Sequence, residues 1–264
     1  MSSDFILLLF VVLGLFSGLL GGLLGIGGGV ITVPILYFVF QYTAIFGDKT
    51  MEVAVSTSLA AGFVTSAVST FIQWKKKAIV FEAIKKLAPG LIIGCILGSL
   101  IAHYLPNDLL SKIFGMMAIL LGLYFFFPRL PHLYISSTPN QSLSLFGLII
   151  GCLSSLLGIG GGSLAFPILL GYQIPVKNAS ATSSASTLAT TILGSMTYLA
   201  IGWNQPELPS TFGYIELPAF IAISIGSMIS APFGVKLSHV LNVAHIKQIF
   251  GCSLALVGLS MLIL

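Results

Sequence analysis

The chain has 264 residues, 56% of them hydrophobic and only 7% charged, with a mean hydropathy of +1.07. Soluble domains carry about 25% charged residues, so this composition excludes a water-soluble domain and implies an integral, polytopic membrane protein. The net charge of +4 does not point to nucleic acid as a partner, because the lysines fall in short loops between apolar stretches, where they set topology.

The first apolar stretch, 5–24, has no basic region ahead of it and no cleavage-type site after it. It reads as a retained membrane segment and not as a signal peptide. It runs into GGLLGIGGGVITVPIL, Gly21 to Leu36, where Gly-Ile-Gly-Gly-Gly interrupts the apolar run before Pro34. Further segments are expected at 30–46, 53–74, 87–105 and 110–128. The polar, Pro-containing stretch from Pro128 to Ser142 reads as a linker. The plan then repeats, with segments at 143–157, 163–174, 178–203, 215–235 and 247–264. A second glycine block, SSLLGIGGGSLAFPILL, runs from Ser154 to Leu170 and contains Pro167. Other stretches match as well. Ala54–Ser58 answers Ala179–Ser183, Trp74 answers Trp203, and Ile101–Gly115 answers Leu237–Gly251, which pairs His103 with His239. The expected organisation is a first membrane repeat over 1–128, a linker over 129–142 and a second repeat over 143–264. Paired Gly-interrupted apolar segments in matching positions of two halves point to a transport site.

The arm after the second block is about 12 residues, roughly 18 Å as helix, against a hydrocarbon core of about 30 Å. Such an arm does not cross alone. A re-entrant or broken pair is expected, with its arms meeting at the glycines, where protein or a water-filled cavity must satisfy the irregular backbone. If each broken pair enters and leaves on one side, Lys75, Lys76, Lys77, Lys85, Lys86, Arg129, Lys177, Lys236 and Lys247 share one face. Only Lys49 and Lys112 then lie opposite. Treating each broken segment as a full crossing splits the basic residues almost evenly, so the positive-inside rule favours the first arrangement. Equivalent loops then lie on opposite faces. The expected fold is an all-α polytopic membrane protein of two inverted repeats, each a Gly-broken helix pair plus three transmembrane helices. Both termini are expected outside.

The candidate substrate-binding residues are Gly25, Gly27, Gly28 and Gly29 with Gly158, Gly160, Gly161 and Gly162, whose backbone N–H groups open helices and favour anions. The structural alternative is close helix packing by glycine. Beside them stand Thr57, Ser58, Thr182 and Ser183, near the starts of two Ser/Thr-striped helices. Hydroxyls there either donate to an anion or bond between helices. For the distal Ser69, Thr190 and Thr191 the structural role is the better reading. No Asp, Glu, Lys or Arg sits near the middle of any segment, where such residues mark ion and proton paths. His103 and His239 are weak candidates for proton coupling: histidine is the side-chain type that ordinarily titrates near neutral pH, but both sit near segment ends. Trp74 and Trp203 read as interfacial anchors. The three cysteines are dispersed, without CxxC or a Cys/His cluster. No metal, cofactor or catalytic residue is expected, and an enzyme is disfavoured because no acid, base or nucleophile lies at depth.

The duplicated G-[IL]-G-G-G-x-x-x-x-P-x-L block (Gly25 to Leu36, Gly158 to Leu169) and the A-x-x-T-S element that follows it (Ala54 to Ser58, Ala179 to Ser183) resemble the TauE/SafE sulfite exporter family, also called the 4-toluene sulfonate uptake permease family. The resemblance spans essentially the whole chain. It departs from the family pattern where Ser154-Ser155 replaces the Gly-Gly seen at Gly21-Gly22. It implies a small carrier for sulfur-containing or organic anions such as sulfite, thiosulfate or sulfoacetate, in a bacterial inner membrane. The expected function is a secondary transporter of such an anion, an exporter working by alternating access, with the halves rocking about one site. An anion channel lined by helix dipoles and hydroxyls is the alternative. The expected partners are a small anionic substrate and the lipid bilayer. Direction of transport, coupling ion and the presence of a homo-oligomer stay open.

Overall fold

A computed structural model describes residues 3–25, 27–127, 139–204, 208–240 and 243–263. Among these residues the chain is almost wholly helical. The first half gives α1 (Ser3–Leu24), α2 (Gly29–Thr43), α3 (Thr50–Lys75), α4 (Phe81–Tyr104) and α5 (Asn107–Phe126). The second gives α6 (Pro139–Leu157), α7 (Gly162–Gly171), α8 (Val176–Ile201), α9 (Leu217–Val240) and α10 (Val243–Ile263). Each expected segment is present as a helix, with the largest shifts at the start of α4 and the end of α9. The helix α6 begins inside the stretch read as a linker, and 128–138 lie outside the described residues.

Among the described residues, five spans are long and apolar enough to cross a membrane by length and composition: Asp4–Leu24, Gly47–Lys75, Phe81–Tyr104, Asn107–Phe126 and Leu217–Ser238. The helix α7 has 10 residues and rises roughly 15 Å, about half the hydrocarbon core. The 26-residue α8 is long but rich in Ser and Thr. It is placed inside the bundle, where Ala179 to Ser184 are buried. Its partner at the centre is α3, buried continuously from Thr50 to Gly62.

Around α3 and α8 the other helices pair across the halves. The most extensive packing is α1 on α9, α4 on α6 and α5 on α10. If α1 answers α6 and α4 answers α9, the first two pairs are equivalent and each joins one half to the other. Small residues allow this. A Cβ added to Gly94 of α4 would stand 2.2 Å from the Leu148 carbonyl oxygen of α6, and one on Gly226 of α9 would stand 2.3 Å from that of Val11 in α1. Backbones this close gain dispersion contacts that lipid cannot replace, since lipid tails supply no hydrophobic drive for helix association.

The segment between α8 and α9 contains an element the sequence reading missed. Strands β1 (Thr211–Phe212) and β2 (Ile215–Glu216) pair antiparallel, with Thr211 opposite Glu216 and Phe212 opposite Ile215. Gly213 makes the turn with φ +61°, and a Cβ there would meet Leu199 at 2.9 Å. Alternating aromatic and β-branched residues about a glycine were the available signal. Trp74 and Trp203 are both more than half exposed, at the carboxyl ends of α3 and α8, as interfacial anchors require.

Gly94→Val should lower the stability of the purified protein by about 1–3 kcal/mol, because overpacking drives α4 and α6 apart. Leu145→Ala, on the exposed face of α6, should leave it nearly unchanged. Thermal unfolding in detergent reads both.

Candidate functional site

Both glycine blocks stop a helix and start another. Gly25 ends α1 with φ +73°, its N–H donating to the Gly21 carbonyl at 2.9 Å. Gly158 ends α6 with φ +71°, its N–H donating to the Ser154 carbonyl at 2.8 Å. A left-handed glycine with this bond is a standard helix stop. Gly27, Gly28 and Gly160 are also left-handed, which side-chain-bearing residues resist.

The two loops meet. A Cβ on Gly29 would stand 2.3 Å from the Gly158 carbonyl oxygen, and one on Gly162 would stand 2.0 Å from the Gly25 carbonyl oxygen. The amino-terminal ends of α2 and α7 therefore begin at one crossing, and neither helix has a side-chain cap. Close to the crossing lie Ser17, Val33, Val55, Ser183 and Thr187, which offer backbone, aliphatic groups and hydroxyls.

Three hydroxyls hold the loops. Thr187 of α8 donates to the Gly25 carbonyl at 3.1 Å, and Ser58 of α3 donates to the Gly158 carbonyl at 3.0 Å. Thr190 of α8 accepts the Gly161 N–H at 2.8 Å. The copies therefore differ. Gly28 is left-handed with φ +75°, whereas Gly161 has φ −63° and its N–H is already bonded.

The other sequence candidates are placed elsewhere. Thr57 accepts the Glu216 N–H at 2.9 Å, and Thr182 accepts the Val80 N–H at 3.0 Å. Each threonine thus holds the segment that leads into the fourth helix of the other half. Ser56 adds a hydroxyl bond to the Tyr214 carbonyl, and the Asn178 amide donates to the Ala78 carbonyl at 2.9 Å. Ser183 bonds back to the Ser180 carbonyl at 2.9 Å, although its hydroxyl also faces Gly25. Among the distal hydroxyls, Thr191 pairs with Ser66 across α8 and α3 at 3.3 Å and Ser69 bonds back to Thr65. Thr190 bonds between elements, as the structural reading of the distal hydroxyls expected, whereas Thr187 was not singled out from its stripe. Their stripe was visible, but which stripe members face a glycine loop depends on how the helix is turned.

A small cavity beside the first loop is lined by Leu23, Leu24, Phe166, Lys177 and Ser180. The Ser180 carbonyl lies 2.4 Å from a Cβ built on Gly25, and its hydroxyl is buried with no hydrogen-bond partner among the described residues. Lys177 is exposed at the start of α8.

Two buried carboxylates also escaped the sequence reading, because Glu52 sits just before the 53–74 segment and Glu216 at the very start of the 215–235 segment. Glu52 lies in the first turn of α3, 4% exposed. Its carboxylate oxygens lie 2.7 Å from His103 Nδ1 and 2.8 Å from Lys49 Nζ. Glu216, 9% exposed, accepts the Ala219 N–H at 2.5 Å and so caps α9. Burial pushes its carboxyl up from the ordinary range, and that N–H holds it partly back. His239 lies in α9, but its side chain is outside the described residues.

The family profile described as "Sulfite exporter TauE/SafE" matches residues 10–261. Among curated proteins, one described as a probable membrane transporter protein from Methanocaldococcus jannaschii is 32% identical over 98% of this chain and 97% of its own length. A protein of the same description from Haemophilus influenzae is 29% identical over 97% of each chain, and YunE of Bacillus subtilis is 26% identical over 94% of each. No solved structure matches the chain. With its profile match running from α1 to α10, the chain belongs to the TauE/SafE family of membrane transporters.

Proposed function

We propose that the chain is a secondary transporter for a small sulfur-containing or organic anion such as sulfite, thiosulfate or sulfoacetate, and that the crossed glycine loops form its single substrate site. The observation that carries this reading is the contact of Gly29 with Gly158 and of Gly162 with Gly25. Two helix amino termini, each with unsatisfied N–H groups and a positive dipole end, open at one place. Such an arrangement suits an anion and needs no buried cation. Gly27, Gly28, Gly29, Gly160 and Gly162 supply the backbone surface, and Gly161 positions the second loop through Thr190. Ser58 and Ser183 supply hydroxyls beside it. Thr57 and Thr182 act through the segments they hold.

The inverted relation of the repeats is supported by the reciprocal bonds of Thr57 to Glu216 and Thr182 to Val80. The start of each central helix holds the segment that follows the other. The moving bodies are then not the two sequence halves, because α1 packs on α9 and α6 packs on α4. Those cross-half pairs move about α3 and α8, and the site faces each side in turn. The cavity at Lys177 and Ser180 is the route to the first loop from the face that carries most of the lysines. A fixed cation at that mouth raises the local anion concentration. On the positive-inside rule that face is cytoplasmic and both termini lie outside.

Four outcomes test this reading. Proteoliposomes should show saturable uptake and counterflow of labelled thiosulfate or sulfoacetate, whereas flux that does not saturate would favour a channel. Gly161→Ala should cut exchange by at least tenfold while the protein stays monodisperse. That position is the cleanest choice, because its φ suits alanine and only the side chains of Thr190 and Ile150 crowd the new methyl, whereas a Cβ on Gly28 would strike the Ser17 carbonyl at 2.5 Å. Lys177→Ala should raise KM several-fold with little change in turnover, and the effect should shrink at high salt. For orientation, a cysteine at Asn204 should react with an impermeant thiol reagent from outside and one at Lys76 should not.

A further inference from the structure

We propose that the Glu52–His103 pair is the proton-binding site through which transport is coupled to a proton gradient. The proposal rests on the transporter reading above and adds to it the coupling ion and the residues that take it.

The pair is the centre of a cluster drawn from separate parts of the fold. Glu52 comes from α3, His103 from the last turn of α4, Lys49 from the turn before α3, and Tyr214 from the β1–β2 turn. The Glu52 side chain is 5% exposed, His103 24% and Lys49 36%. The Tyr214 hydroxyl lies 3.4 Å from His103 Nδ1, and Lys49 Nζ lies 5.7 Å from the Tyr214 ring centroid. Tyr198 of α8, whose hydroxyl donates to the Ser155 carbonyl at 3.0 Å, is within electrostatic reach of the same carboxylate, and the ring of Tyr104 lies edge-on to His103 with 5.2 Å between centroids. These are the titratable and charged groups that face the pair among the described residues.

Lys49 and Glu52 together are neutral. The group left to take up a proton is His103, and histidine is the side-chain type most used as a proton switch. An unpaired carboxylate in so buried a place would be costly, and the Glu52 oxygens meet His103 Nδ1 at 2.7 Å and Lys49 Nζ at 2.8 Å. His103 is accessible enough to exchange a proton with water, and Glu52 is not. The step is a simple addition: a proton from one bulk phase binds the imidazole and the cluster goes from neutral to +1. Release to the other phase after the conformational change reverses it.

The cluster is also placed to affect the substrate site. Glu52 lies six residues before Ser58 on α3, roughly 9 Å along the helix, and Ser58 holds the Gly158 carbonyl. Between them Ser56 and Thr57 bond to Tyr214 and Glu216. A change in the pairing of Glu52 therefore acts on both the hairpin segment and the second glycine loop. In the matching element of the other half, the position equivalent to Glu52 is Lys177, since both stand two residues before the A-x-x-T-S element. One mouth carries the Glu52–His103 pair and the other a lysine, so the two sides of the repeat differ in charge.

The test separates coupling from transport. Wild type, Glu52→Gln and His103→Asn are reconstituted, and flux is read with whichever of thiosulfate, sulfoacetate and sulfite the wild type exchanges fastest. Exchange of labelled for unlabelled anion at equal pH should persist in both variants, at a rate lowered by the altered pairing at Glu52. Accumulation driven by an imposed pH gradient should fall at least tenfold, and the pH profile of exchange should flatten in His103→Asn. Retained gradient-driven accumulation in either variant overturns the proposal. Loss of exchange and accumulation together in a monodisperse, stable variant also overturns it, because the cluster is then a structural latch. Absence of any exchange by the wild type refutes the transporter reading itself, and the coupling with it.

Discussion

An interrupted helix inside a bilayer leaves polar backbone where no water can reach it, and everything else in this structure is arranged around that constraint. The two glycine loops meet each other, and three hydroxyls from α3 and α8 complete their bonding: Thr187 to Gly25, Ser58 to Gly158, and Thr190 to Gly161. This explains why the central helices are the polar ones. Helix α8 could not face lipid with its stripe of Ser and Thr, so it is wrapped by its neighbours. The wrapping in turn demands close approach. Small residues at the α1–α9, α4–α6 and α5–α10 seams let the outer helices press backbone to backbone, the packing mode that works in lipid.

Duplication supplied the frame, but the two copies are not chemically equal. The first loop has three left-handed glycines, whereas the second pins Gly161 in a right-handed conformation and uses its N–H on Thr190. Outside the loops, Glu52 and Lys177 occupy equivalent positions with opposite charge. In the reading argued above, the shared features form the substrate site. The differences distinguish the two sides of the membrane, as a carrier working against a gradient requires.

Much of the fold was legible because a bilayer makes local demands. Every helix must bond its own backbone and present about 20 apolar residues to cross, so composition along the chain reports the segments directly. The glycine blocks, the short α7 and the Trp-marked ends of α3 and α8 were all readable in this way. What escaped were features without a local signature. The β1–β2 hairpin is only two residues on each side. Glu52 falls just before one apolar window and Glu216 at the first residues of another, and both look like loop residues until burial is known. Thr57 and Thr182 were singled out with the glycines, yet their hydroxyls hold the segments before α9 and α4. A helical stripe tells which hydroxyls share a face and not what stands opposite.

The sequence by itself determined that this is a polytopic membrane protein of matched halves, each broken by glycine at the same place. It could do so because hydropathy, helix stops and repetition are properties of neighbouring residues. Only the tertiary structure decided that the two breaks touch, that the halves interleave through α1–α9 and α4–α6, and that Glu52 is buried against His103 and Lys49. Those outcomes depend on the rotation and depth of helices distant in the chain. They are settled by packing and hydrogen bonding across the bundle, which no local stretch of residues encodes alone.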